Sequence, residues 1–139
     1  MSKELKNRDL LGLLQGLQLM EAKAYNELDE IKPTILHQLV KNRKTITETL
    51  VSDFDVKRVD LVEKLGKRNK KGELIVKNNT VSFNKKQKAE FDESMNKLMD
   101  TRTSVDITEF DAQALEDSGL VCCPKDNQYI PLIMEVLVK

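Results

Sequence analysis

His37 is the only histidine, and so the only side chain of the usual type for moving a proton near neutrality. In a helix it lies about 200° round from Ile35, which turns it away from the apolar stripe and makes it a solvated surface residue. Cys122 and Cys123 stand side by side before Pro124. Adjacent thiols cannot close an ordinary disulfide loop, and a zinc site needs three or four ligands where these and one distant imidazole are available. The pair reads as two small residues of a protein kept in a reducing, intracellular setting. Asp106, Glu109 and Asp111 could together hold a divalent cation, but they lack the spacing and the glycine of an EF-hand loop. The chain has no GxGxxG, P-loop, nucleophile elbow or HExxH pattern. The expectation is a non-enzyme with no cofactor and no metal.

Charge is the more informative signal. Between Lys64 and Lys88 the cations Lys64, Lys67, Arg68, Lys70, Lys71, Lys77, Lys85, Lys86 and Lys88 face Glu73 alone. From Glu90 to Asp117 the balance reverses, with only Lys97 and Arg102 against a run of carboxylates. The basic pole invites two readings. Lysines near a helix C-terminus complement its dipole and keep a hairpin soluble. They also suit a phosphate or an acidic protein face, with Arg68 as a forked contact and the lysines as point charges. The candidate binding residues are Lys67, Arg68, Lys70, Lys71, Lys77, Asn78 and Asn79, gathered on turns that leave backbone donors free. Only Phe83 lies near enough to stack on a base, so single-stranded nucleic acid is weakly supported.

Over the whole chain, 23 basic residues cancel 23 acidic ones, which argues against a general nucleic-acid coat or a membrane-surface protein. At 139 residues there is room for one domain, and with 4% aromatics and no Trp its core must be built from Leu, Ile, Val and Met. No run approaches transmembrane length. Glu4, Asp9 and Glu21 interrupt what would otherwise loosely resemble a signal peptide.

Leu10, Leu17, Ala24 and Ile31 recur every seven residues, with Leu13 and Met20 between them, predicting a helix over about 9–31. Lys32-Pro33-Thr34 interrupts it and opens a second helix, whose apolar positions Ile35, Leu39, Ile46, Leu50, Phe54, Leu61 and Leu65 run to a stop at Gly66. Such a helix is about 50 Å long, against a globule about 37 Å across, so it must bend or project as an arm. An arm must cover its stripe, and a second copy of the chain is one way to do so. Beyond it, 73–77 and 80–83 form a hairpin around Asn78-Asn79, and Asn84 caps a helix ending near Asp100. Residues 104–108 are a third strand expected to join the hairpin, followed by a short helix at 111–117 and a stop at Gly119. The apolar tail 132–138 fits strand or helix. The fold class is α+β, mainly α: a long helical hairpin arm over 9–66 and a small α/β head over 67–139, with an antiparallel sheet and a third helix.

The order of features from Lys32 to Ile107 carries a resemblance. Pro33 opens a helix, Val40-Lys41-Asn42 leads into a charged amphipathic run, and Leu61-Val62-Glu63-Lys64-Leu65-Gly66 ends it. The turn Lys70-Lys71-Gly72, the hairpin closing at Phe83, the stretch Phe91 to Leu98 and Thr103-Ser104-Val105-Asp106-Ile107 come after it. In this order the chain resembles a family of small uncharacterised accessory proteins of tailed phages of Gram-positive bacteria. The resemblance implies a phage or prophage origin and an accessory role. Joined to the missing catalytic motifs and the uncovered arm, it gives the expectation of a protein of the host cytoplasm that works by binding a host or phage partner, as a homo-oligomer through its long helices. A sponge for a host immune nucleotide signal, which would make it anti-defence, and a virion-assembly chaperone are the alternatives.

Overall fold

The computed structural model describes residues 2–26, 31–121, 125 and 127–138. In chain order the elements are β1 (Ser2–Lys6), α1 (Asn7–Asn26), α2 (Pro33–Thr49), a π-helical segment (Leu50–Phe54), α3 (Asp55–Leu65), β2 (Val76–Lys77), β3 (Thr80–Val81), α4 (Lys85–Asp100), β4 (Arg102–Asp106), α5 (Ala112–Asp117) and α6 (Ile130–Leu137). The mainly helical α+β class is thus the observed one.

The heptad stripe of α1 is the centre of the core: Leu10, Leu13 and Leu17 are wholly buried. Ile31 packs against this core although it is not itself helical. Helix α2 lies along α1, and Arg43 Nε donates to Glu21 Oε2 at 2.5 Å across the pair. From Pro33 to Leu65 the helix is unbroken but not uniform. At its middle the Asp55 N–H bonds the Leu50 carbonyl, an i to i+5 bond that accommodates about one extra residue. In a plain α-helix Leu65 would stand about 100° round from Ile46. The inserted residue turns it back, so Ile46, Leu50, Phe54 and Leu65 are all buried. The two halves of the long helix have different partners, α1 for α2 and α4 for α3. Packing therefore crosses the boundary expected between arm and head, and one hydrophobic cluster runs from Leu10 to Leu137.

The strand at 102–106 does not join the hairpin. It pairs antiparallel with β1, Lys3 opposite Val105 and Leu5 opposite Thr103, while β2 and β3 form a separate two-stranded sheet. Beyond its internal pairing the hairpin segment bonds Lys67, just after α3, and the Asn7 N–H bonds the Thr101 carbonyl at 2.9 Å, holding β4 beside the start of α1. Residues 2–6 give no strand signal in the sequence, since four polar residues around a single Leu5 conceal the alternation. The ambiguous tail is helical, with Pro131 in its first turn, and Val138 bridges Phe110 beyond its end.

Among the described residues the buried polar side chains are those of Asn7, Asn42 and Asn127, all asparagine. Each uses its amide as a substitute peptide group. Asn42 Nδ2 donates to the Thr108 carbonyl and its Oδ1 accepts from the Thr108 N–H, both at 2.8 Å. Asn7 Nδ2 donates to the Leu98 carbonyl at 2.9 Å while Thr103 Oγ1 donates to its Oδ1 at 2.8 Å. Asn127 Nδ2 donates to the Gly16 carbonyl at 2.9 Å and its Oδ1 accepts from the Tyr129 N–H at 3.0 Å. Helix α6 reaches α1 at Gly12 and Gly16. A Cβ on Gly16 would stand 2.7 Å from Tyr129 Cβ and Ile133 Cδ1, whereas one on Gly12 would meet the movable end of Leu132 at 3.1 Å.

Two substitutions check this packing by urea denaturation. Asn42→Ala strands the Thr108 N–H and carbonyl together and should cost about 2–3 kcal/mol, while Asn96→Ala on the exposed face of α4 should cost less than about 0.5 kcal/mol. Gly16→Ala should lose about 1–2 kcal/mol, overpacking outweighing the helix-propensity gain, while Gly12→Ala loses nothing.

Candidate interaction surface

The seven residues singled out lie in the segment that follows the long helix, around two turns at 69–72 and 78–79 that the extended piece 73–77 separates, and they have unequal roles. The chain leaves α3 at Gly66 because only glycine fits there: an added Cβ would lie 2.6 Å from Leu74 Cδ2, 2.7 Å from the Val62 carbonyl oxygen and 2.9 Å from Val81 Cγ1. Its φ of −63° is open to any residue, so close packing, not a left-handed cap, accounts for it. The backbone then folds into three short extended pieces. The Lys67 N–H bonds the Ser82 carbonyl at 2.7 Å, the Ile75 N–H the Lys67 carbonyl at 2.9 Å, and the Ser82 N–H the Ile75 carbonyl at 2.8 Å.

A side chain locks the first turn, and backbone conformation sets both. Asn69 Oδ1 accepts from the N–H groups of Lys71 and Glu73 at 2.9 and 3.1 Å. Gly72 takes a φ of +79°, which disfavours any side chain. Asn78 and Asn79 stand at φ 52° and 61°, the double left-handed geometry of a two-residue hairpin turn. Their part is to shape the turn.

Arg68 is not a free anion grip. Its Nη1 donates to the Gly72 carbonyl at 2.8 Å, and its Nη2 to the Glu63 carbonyl at 2.7 Å and to Glu63 Oε2 at 3.2 Å. The guanidinium ties the last turn of α3 to the 69–72 turn, so it is a positioning residue. Lys67, Lys70, Lys71 and Lys77 are exposed and have no ion-pair partner among the described residues. Four unneutralised cations on a clamped backbone can attract an acidic surface.

The surroundings bear on what that surface can take. Phe83 stacks on Phe91 with ring centroids 4.6 Å apart, and Lys88 lies over both rings at 5.6 and 5.4 Å. A face committed in this way is not presented to a base. A groove of about 350 Å³ between α3 and α4 is lined by Lys57, Asp60, Leu61, Lys64, Ser94, Lys97 and Leu98, none of them from the turns. Lys57 and Lys97 are held there by Asp53 and Glu93.

The other residues with chemical potential lie apart. His37 is exposed on α2. Asp111 caps α5, its Oδ2 accepting from the Ala114 N–H at 3.0 Å, and Asp106 is at the exposed end of β4. Cys122, Cys123 and Pro124 fall outside the described residues. Among the described residues no helix is long and apolar enough to cross a membrane. No protein-family model matches the chain, and no curated protein or solved structure does so either.

The division of labour among the cations is testable by amide exchange. Arg68→Met should speed exchange at Asn69, Gly72 and Ile75 about tenfold, the loss of roughly 1.4 kcal/mol from charge-assisted bonds at a solvent-exposed site. Lys70→Met and Lys71→Met should leave those amides unchanged.

Proposed function

We propose that this chain is a non-enzymatic interaction protein, of the phage accessory kind that it resembles, acting in the host cytoplasm by binding an acidic face of a partner protein. The observation that carries this reading is the pairing of a rigid backbone at 66–82 with four lysines that nothing among the described residues neutralises. Preorganised turns lose little entropy on binding, and exposed cations steer an acidic partner and set its register. A nucleotide sponge is less well supported, because the described groove is not lined by the turn lysines and the nearby aromatic faces are occupied.

Replacing Lys67, Lys70, Lys71 and Lys77 with Glu should abolish capture of the partner from host lysate. Thermal stability should stay within about 0.5 kcal/mol per site, since the four are exposed. Wild-type capture should weaken steeply between about 0.05 and 0.5 M salt, as exposed charges are screened over roughly 10 Å at 0.1 M. Undiminished capture by the fourfold variant would remove the lysines from the binding surface.

A further inference from the structure

Val51, Val56 and Val59 are 55%, 52% and 48% exposed on the long helix, on the side away from α1 and α4. Their grouping is a product of the π segment. In a plain α-helix Val51 and Val59 would stand about 80° apart and Val51 and Val56 about 140° apart. One inserted residue turns the rest of the helix back by about 100°, leaving all three within roughly 60°. The distortion that rephases the core stripe therefore also assembles an apolar stripe on the outer face. By the same rotation Lys44 and Glu63, both exposed, fall on that stripe at its two ends.

We propose that this face pairs with the same face of a second copy of the chain, antiparallel about a twofold axis. The charge order selects this occupant. Val51 and Val56 are equidistant from a point between Asp53 and Phe54, and so are Lys44 and Glu63. A twofold axis through that point sets Val51 against Val56 of the other copy and Lys44 against the opposite carboxylate. The same operation places Val59 beside the exposed Glu48 of the other copy at the margin of the stripe, so it joins the central pair Val51 and Val56 and both charged ends, in the self-complementary manner of an isologous interface. Lys44 has no ion-pair partner among the described residues, and of Glu63 only Oε2 is engaged, by Arg68. The core stripe of the same helix is already covered within the chain, so pairing uses the outer face without opening the fold.

A single helix face per copy is a small interface, so the dissociation constant should lie on the order of 10–100 µM. Sedimentation equilibrium should show the 15.9 kDa chain passing to a dimer across that range. Val56→Asp should weaken association at least tenfold with an unchanged melting temperature. Lys44→Glu should also weaken it, and adding Glu63→Lys in the same chain should recover it. A wild-type chain that stays monomeric to about 500 µM, or a well-folded Val56→Asp that still dimerises, would overturn the proposal. Failure of the charge exchange to recover association, with circular dichroism unchanged, would overturn the antiparallel register.

Discussion

A buried side-chain amide that cannot reach water must find both a donor and an acceptor, and in this fold three asparagines meet that demand by bonding backbone from distant parts of the chain. Asn42 clips α2 to Thr108, two residues beyond β4, Asn7 clips the start of α1 to the end of α4 and to β4, and Asn127 clips the approach to α6 onto α1. The elements after residue 97 are short, and their pairing with α1 and α2 is long-range in sequence. Apolar contact supplies the attraction but is not directional, whereas an amide bonded to another segment's N–H or carbonyl accepts one register. The β1–β4 pairing, the seat of α6 at Gly12 and Gly16, and the covering of α1 on its second side all depend on that register.

The long helix then serves three surfaces at once. Its first half needs α1, its second half needs α4, and the phase error between the two stripes is absorbed by the π segment. Because α3 is fixed by α4, its C-terminal end is a firm base for the turns at 66–82, which Arg68 ties back to Glu63. The lysines thus stand on a platform that the core itself holds still. The outer valines are the remainder of the same geometry, apolar positions that neither α1 nor α4 can reach.

Much of this was legible in the residues. The stripe of α1, the start of α2 at Pro33, the Asn78-Asn79 turn and the Asn84 cap, which accepts from the Gln87 N–H at 2.8 Å, each rest on local chemistry that tertiary packing did not override. Strand β1 was hidden because Leu5 is its single apolar residue, with the half-buried Lys3 donating to the Val136 carbonyl at 2.6 Å where an apolar residue would have marked the inner face, and because its partner lies about a hundred residues away. Asn42 falls on the apolar stripe between Leu39 and Ile46, a signal of burial that the reading of the stripe passed over, and its partner Thr108 lies far beyond local reach. The four-residue spacing of Gly12 and Gly16 was likewise a sign of close helix approach. Ile46, Leu50 and Phe54, spaced by four and four, drift round an α-helix by about 80°, and that drift was the trace of the π segment. In the candidate surface, the lysines were readable from charge alone. The diversion of Arg68 to Glu63 and Gly72 was not, because a guanidinium beside a turn has several partners in reach.

The dependence of the fold on its asparagine clips is most directly tested by native-state hydrogen exchange of the wild-type chain across graded urea. If the clips bind the C-terminal elements into the same cooperative unit as α1 and α2, the amides of Asn7, Thr108 and Ile133 open with one free energy and one urea dependence, shared with Leu13 and Leu17. If Thr108 and Ile133 instead open at lower urea with a smaller dependence of their own, the elements from β4 to α6 form a separate unit and the clips do not govern the fold.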